Sequence, residues 1–260
     1  MKGIRVTLRK KILLAVCLTF VLAGAGLFAG SSLILLKGFT TLENDTVLTD
    51  IQRVENAIGD SLLALKTFAG DWAGWSDTRD FILGQRPAYV EENLMDTAFI
   101  NARASFMAFL DNSGKLVHMK SVDLEEEVEI PNPESLAQVI SQPALTTHNG
   151  PRDLKDGIVM LPEGPMMVAS GPITNNEFEL PISGTFLVGR YLDDAETESL
   201  SDRTQLKISF TRLDQGDLPP DIAAAKQALS LESPRVCVPQ DSSTVMGYAI
   251  VNSAAGNPAL

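Results

Sequence analysis

From Ile12 to Leu36 the sequence has no charged residue, and this stretch constrains what the rest of the chain can become. As a helix, its 25 residues measure about 37 Å, enough to cross a hydrocarbon core of about 30 Å with some tilt. Before it stand Lys2, Arg5, Arg9, Lys10 and Lys11 with no acid among them; after it come Lys37 and then Glu43, Asp45 and Asp50. The excess of cations on one side predicts a cytoplasmic N-terminus over residues 1–11 and a single transmembrane helix over 12–36. Residues 37–260 are then extracytoplasmic, in the periplasm of a cell whose inner membrane holds the anchor. A cleavable signal peptide is the competing reading, since Ala23-Gly24-Ala25 has the small-residue pattern of a cleavage site. Against it, the apolar run resumes at Leu27-Phe28 and continues through Leu33-Ile34-Leu35-Leu36. Cys17 is a poor lipoprotein site, because Val16 precedes it where a small residue is wanted.

The rest of the composition narrows the function by exclusion. Hydrophobic residues at 45% and charged residues at 21% fit a folded domain of about 220 residues beyond the anchor. The net charge is −12, and because the first eleven residues contribute five positive charges the remainder carries −17. Such a surface repels phosphate backbones, so nucleic acid is excluded as a partner. Of the two cysteines, Cys17 lies in the apolar segment and Cys237 in the extracytoplasmic part, too far apart on the expected topology to pair, so there is no disulfide framework. His118 and His148 stand in no metal-ligand spacing, and the chain has neither a nucleophile elbow nor a phosphate loop. No catalytic residue, metal or cofactor is expected, and the chain reads as non-enzymatic.

Along the chain, Val47, Leu48, Ile51, Val54, Ile58, Leu62, Leu65 and Phe68 recur at helical spacing and predict one long amphipathic helix over 44–69, separated from the apolar segment by a short break at Gly38. Residues 71–84 read as a compact loop or short helical turns, and Pro87 opens a second helix reaching Asp96. The period then changes to two. Residues 104–110 and 115–120 flank Asp111-Asn112-Ser113-Gly114 as a hairpin, and 157–161 and 166–172 flank Pro162-Glu163-Gly164 as another. A short helix over 133–141, a strand over 184–191, a helix over 193–200, a strand over 205–212 and a helix over 220–229 follow. Strands over 236–238 and 245–251 close the chain. The class is α+β: a long N-terminal helix, then a mostly antiparallel meander in one domain. The acidic run at Glu125 reads as a solvated edge, and Asp193, Asp194 and Glu196 as a helix start complementing the dipole.

One segment exceeds a packing role by its composition. Asp71-Trp72-Ala73-Gly74-Trp75-Ser76-Asp77 holds both tryptophans of the chain, close to Arg79, Tyr89 and Asn93. Indoles beside carboxylates and a guanidinium suit a pocket for a small amphipathic or cationic ligand; they equally suit closing the end of a core beside the long helix. Trp72, Trp75, Asp77, Arg79, Tyr89 and Asn93, with Arg190 reaching in from a strand end, are the candidate ligand-binding residues, expected to form one cluster. Gly26 and Gly30 make a small face in the apolar segment, which either pairs two helices or simply tolerates lipid. A homodimer through the N-terminal helix is the expected assembly.

These residues resemble a known family, the fourth subtype of the CHASE-type extracellular sensors, found ahead of histidine kinases and diguanylate cyclases. The resemblance rests on Arg53, on Asp71-Trp72-Ala73-Gly74-Trp75-Ser76-Asp77-Thr78-Arg79-Asp80-Phe81, on Tyr89, Asn93-Leu94 and Phe109-Leu110-Asp111-Asn112-Ser113-Gly114, and later on Ala169-Ser170-Gly171-Pro172-Ile173, Gly184-Thr185 and Gly189-Arg190-Tyr191-Leu192. It implies a PAS- or Cache-like antiparallel sheet with a long helix packed on one side, and a sensory input domain of a transmembrane receptor of kinase, cyclase or phosphodiesterase type. Ser76 and Arg79 depart from the family pattern, which implies a ligand different from the relatives'. The family ordinarily continues with one more strand and a second membrane helix, so the chain is expected to be cut before that strand. The alternative function is a membrane-anchored binding or scaffold protein without output; a tethered hydrolase is the least favoured.

Alkaline phosphatase fused after Leu260 is expected to be active in a bacterial host. An inactive fusion at normal expression reverses the topology.

Overall fold

The computed structural model describes residues 8–179, 181–214, 216, 218–230, 232–241 and 244–260, and between 32 and 41 the backbone only. Lys2 and Arg5 of the cationic cluster, and the side chains of Leu33, Ile34, Leu35, Leu36 and Lys37, lie outside the described residues. Two units are distinguished, Met1–Thr49 with Cys237–Gly247, and Asp50–Val236 with Tyr248–Leu260.

Helix α1 runs from Leu8 to Ala73. The expected break at Gly38 is absent, since the backbone is helical through that residue. In the first unit, Leu8–Ser31 has a mean hydropathy of 2.5 with nothing buried, and among the described residues it is the one helix long and apolar enough to cross a membrane. The second unit buries the inner stripe of α1. Ile51, Ile58 and Leu65 recur every seven residues and are buried with Ala57, Ala69 and Ala73, while Val54, Leu62 and Phe68 are partly covered. Leu48, expected on that stripe, is 39% exposed. In the same unit Arg235 holds the helix by donating to Gln52 at 2.7 Å and to Glu55 at 3.1 Å.

After α1 come α2 (Ser76–Ile82), α3 (Tyr89–Asn93) and α4 (Asp96–Ala102); α2 falls where a compact loop or short helical turns were expected, and the one helix expected from Pro87 to Asp96 is instead α3 alone, with α4 starting at Asp96. The strands are β1 (Phe106–Asp111), β2 (Leu116–Asp123), β3 (Val128–Ile130), β4 (Lys155–Met160), β5 (Pro165–Ile173) and β6 (Gly184–Tyr191). They form one antiparallel sheet in the order β3-β2-β1-β6-β5-β4. Helices α5 (Leu136–Ile140) and α6 (Pro143–Thr146) lie between β3 and β4 in the chain; α7 (Asp194–Thr204) and α8 (Pro220–Ala228) follow the sheet, and β7 (Arg235–Pro239) pairs with β8 (Val245–Ala249).

The sheet is covered on both faces, so β1, β5 and β6 are buried almost without interruption. Met107, Phe109, Met167, Ala169, Phe186 and Val188 share a cluster with α1. Their neighbours Phe106, Ala108, Leu110, Met166, Val168 and Leu187 pack instead with Leu136, Val139 and Leu145 of α5 and α6. Glycine sets how near α1 comes. A Cβ on Gly171 of β5 would stand 2.9 Å from the Ala73 Cβ, 2.9 Å from Leu154 Cδ2 and 3.1 Å from the Ala69 carbonyl.

The strand expected over 205–212 is a correction. α7 extends to Thr204, Gln205 turns the chain in the left-handed region at φ 59°, and residues 206–212 join no ladder. Their alternation survives, with Ile208 and Phe210 packed on the core. The free edge of β4 is taken by the C-terminal segment instead, where Ala254 N donates to the Ile158 carbonyl at 2.7 Å and Ile158 bridges to Ser253.

Gly171→Val should lower the stability of the chain by about 1–3 kcal/mol, because the added side chain meets helix backbone. Gly59→Ala, at a helical position with nothing within 4 Å of a new Cβ, should raise it by about 0.5–1 kcal/mol. Denaturant midpoints of the two variants check both signs.

Candidate functional site: an aromatic layer at the end of α1

The last turns of α1 carry Ala69, Gly70 and Ala73, with Gly74 just beyond, and these small residues let larger neighbours close around the turn that follows. A Cβ on Gly70 would come within 2.9 Å of Leu154, and one on Gly74 within 2.5 Å of the Phe178 ring. Phe178, itself at φ 59°, lies under the Arg152 guanidinium at 4.1 Å. Two main-chain amides fix the same turn: Thr174 N donates to the Ala73 carbonyl at 2.9 Å, and Ser76 N donates to the Asn176 side-chain Oδ1 at 2.8 Å. Asn176 N returns a bond to Ser76 Oγ at 3.2 Å. Trp75 is extended, with φ −100° and ψ 127°, and so ends one helix and begins the next.

The rings then stack in sequence away from α1. Trp72 lies 5.8 Å from Phe186 of β6 with planes 16° apart, and 5.3 Å from Phe68. Trp75 stands edge-on to Trp72 at 6.3 Å and to Tyr89 at 6.5 Å. Tyr89 stacks on Phe81 at 4.6 Å, and both turn their edges toward Phe109 of β1, which lies 4.9 Å from Phe186. Pairs of this geometry add about 0.5–1.5 kcal/mol each beyond area burial. Tyr89 is fully buried, yet its hydroxyl and that of Thr78 share a hydrogen bond of 2.7 Å. Burial pushes the Tyr89 phenol up to about 12, against a lowering by that bond. His118, beside Phe81, is lowered by burial and then by Lys120; its Nε2 has no partner among the described residues. Trp75, by contrast, is 38% exposed.

The structure therefore brings Trp72, Trp75 and Tyr89 into one layer and puts Asp77 at its rim, where it pairs with Arg86 at 2.7 Å. Arg86 in turn holds Glu92 at 2.8 Å. Arg79 sits half-buried on α2. Asn93 closes α3 on itself, donating to the Tyr89 carbonyl at 3.1 Å. Arg190 is the correction. It is four residues beyond Phe186 on β6, about 13 Å along an extended strand, and reaches neither tryptophan nor Asp77. Its Nε donates to the Arg103 carbonyl at 2.6 Å and its Nη2 to the Ala102 carbonyl at 3.1 Å, capping α4, while Nη1 lies 3.4 Å from Glu196. Desolvation lowers the Arg190 pKa, and Glu196 opposes that shift.

Sequence reading missed Phe81, Thr78 and Arg86 as parts of the layer, and Glu196 as a buried ion. Asp193 does start α7, accepting from Glu196 N at 2.9 Å. The Glu196 carboxylate instead turns inward to Arg103 at 2.9 Å and is 2% exposed. An acid in the first turn of a helix reads as complementing the dipole, and that signal hid the ion pair.

Residues 57–211, more than half of the chain, match the CHASE4 domain. The chain belongs to the CHASE4 family. It is the extracellular sensor input domain of a signalling receptor, and with its apolar helix it is a membrane protein; sensor domains of this kind bind small molecules. The methanogenesis regulatory histidine kinase FilI of Methanothrix harundinacea (strain 6Ac) is 32% identical over 199 residues, which cover 76% of this chain. The chain spans 22% of the length of that curated relative. Among solved structures, the extracellular domain of the putative histidine kinase vpHK1S-Z8 aligns over 83% of this chain and 91% of its own, with a TM-score of 0.48 and 13% identity. The periplasmic sensory domain of the Campylobacter jejuni chemoreceptor Tlp1 aligns over 63% and 64%, with a TM-score of 0.36 and 14% identity.

Because the buried Tyr89 phenol stays protonated to about pH 12 while an unfolded tyrosine ionises near 10, its contribution is complete below pH 10 and is lost as pH rises toward 12. Wild-type stability should fall by roughly 2–3 kcal/mol across that window on account of Tyr89. Tyr89→Phe should reduce the fall, at a cost of about 1–3 kcal/mol at neutral pH for the stranded Thr78 hydroxyl. Denaturant unfolding of both proteins from pH 8 to pH 12 separates the two effects.

Proposed function

We propose that this domain binds a small amphipathic or cationic ligand against the exposed indole of Trp75 and the rim around it, and reports occupancy through α1. The carrying observation is that the aromatic layer is built on the last turn of α1 itself: Trp72 is a residue of that helix and stacks on the sheet. A ligand that draws Trp75 outward or presses it inward changes the support of Trp72, and with it the seat of the helix.

The chemistry of the ligand follows from the faces offered. Indole rings attract cations over their faces, worth about 0.5–2 kcal/mol apiece according to desolvation. The charge of −17 outside the first eleven residues raises the local concentration of cations. Asp71 and Asp80 place two further acids in the same stretch of sequence as the tryptophans. On this reading Trp72, Trp75, Asp77, Arg79, Tyr89 and Asn93 remain the ligand-binding set, and Arg190 does not belong to it.

The rest of the proposal concerns the whole receptor. The chain itself catalyses nothing; the output is a cytoplasmic module of histidine-kinase type, as the likeness to FilI supports. The anchor lies in the cell inner membrane with the sensor in the periplasm, and two copies associate through the N-terminal helix. Gly26 and Gly30 support that last point by their spacing, since four residues apart on α1 they make one small face on which a second helix packs closely.

Trp72 and Trp75 are the only tryptophans of the chain, so its intrinsic emission is a direct probe of the site. A panel of small amines, from tetramethylammonium to aromatic amines, should contain members that shift the emission and raise the melting midpoint by mass action. Trp75→Ala should weaken those members at least tenfold, and should lower stability by about 1–3 kcal/mol for the loss of its two edge contacts. Equal affinity in a folded Trp75→Ala protein places the ligand elsewhere.

A further inference from the structure

Glu196 is the most deeply buried carboxylate described, and it joins four elements at one point. It belongs to α7. Its Oε2 holds the Arg103 guanidinium at the end of α4 at 2.9 Å, and Arg190 of β6 approaches at 3.4 Å. Its Oε1 accepts from Ser61 Oγ of α1 at 3.3 Å. Ser61 is 4% exposed and accepts in turn from Arg203 Nη1 at 3.0 Å, whose guanidinium lies 3.6 Å from Asp60. A buried carboxylate needs partners, and here they come from elements far apart in sequence.

The distances are unequal in a way that matters. The bond to Arg103 has ordinary length, whereas those to Ser61 and Arg190 are at the long end of what a hydrogen bond tolerates. Arg103 is the residue after α4, in the left-handed region at φ 51°, and its carbonyl is held by Arg190. It therefore marks the position of the α2–α4 segment, which carries Thr78, Phe81 and Tyr89 of the aromatic layer. If that segment moves by a few tenths of an ångström, Arg103 draws the carboxylate with it, and the long bond to Ser61 is the one that makes or breaks.

We propose that Glu196 is the junction through which the position of the α2–α4 segment is communicated to α1, with the Ser61 hydrogen bond as its output contact. This deepens the functional reading above and rests on it for the meaning of the signal, since the aromatic layer is the input and α1 the element that answers. Glu196 is a positioning residue: it touches no ligand and acts through Arg103 and Ser61.

The coupling itself is testable without a ligand, on the full chain in lipid nanodiscs. Hydrogen exchange of α1 amides over 57–65 reads the output side, and tryptophan emission reads the layer. Arg103→Ala should speed exchange over 57–65 at least about fivefold, and Ser61→Ala should do likewise. The double variant should be no faster than the faster single one, because both changes break the same path. Multiplicative effects in the double variant, or an Arg103→Ala protein whose 57–65 exchange is unchanged, overturn the proposal. If Arg103→Ala unfolds, Arg103→Gln serves in the same cycle. Failure of amines to bind at Trp75 would sink the ligand reading and leave this cycle intact, whereas a multiplicative cycle with normal amine binding would sink the junction alone.

Discussion

The contact on which the sensor unit depends is the approach of the last turns of α1 to β5 at Gly171. Ala69 and Ala73 touch the sheet where that glycine leaves room, and Gly70 and Gly74 admit Leu154 and Phe178 from the flanking segments. Were the helix a side chain's width farther out, Trp72 would lose its stacking on Phe186, and the turn at Trp75 would lose the hydrogen bonds that fix it. Small residues thus have a positive role here. They set a distance, and the distance decides which large residues meet.

Much of this was legible in the sequence, for reasons that differ by element. The stripe through Ile51, Ile58 and Leu65 announced a helix, because burial on one face writes a period of about 3.6 directly into residue order. Hairpins at Asp111 to Gly114 and at Pro162 to Gly164 were readable from turn chemistry, which is local. The segment over 206–212 was misread because alternation reports which side faces the core and not whether a neighbouring strand exists; the C-terminal residues had taken the available edge. The fate of Gly38 shows the complementary failure. A glycine lowers helix propensity by about 1 kcal/mol, too little to break a helix extended on both sides.

The candidate site divides in the same way. Trp72, Trp75 and Tyr89 could be grouped from sequence because they sit within one short stretch, and aromatic residues that close in sequence have few ways to avoid one another. Arg190 could not be placed, since its partners Ala102, Arg103 and Glu196 are brought to it by the β1–β6 pairing and the start of α7. Charged residues on a strand name no partner in their own segment. The same is true of Glu196, whose local role as the third residue of a helix concealed a long-range one.

That division has a consequence for how a sensor of this build can work. The aromatic layer is packed nearly solid: Tyr89, Phe109 and Phe186 are fully buried, and Trp75 alone presents a substantial indole surface. A layer of that density does not yield gradually, because close-packed rings have few intermediate arrangements. Displacement of Trp75 must therefore be taken up by rigid shifts of the elements around it, α1 on one side and α2–α4 on the other. Those two elements meet again at the Glu196 carboxylate, through Ser61 and Arg103, where the bonds are polar, directional and partly stretched. A stiff apolar contact at one end and a yielding ionic contact at the other make a lever, with the close approach at Gly171 as its fulcrum. Softening the layer, rather than the ion pair, is then the change that would blunt the response most, because a ring free to reorient absorbs the displacement before any helix has to move.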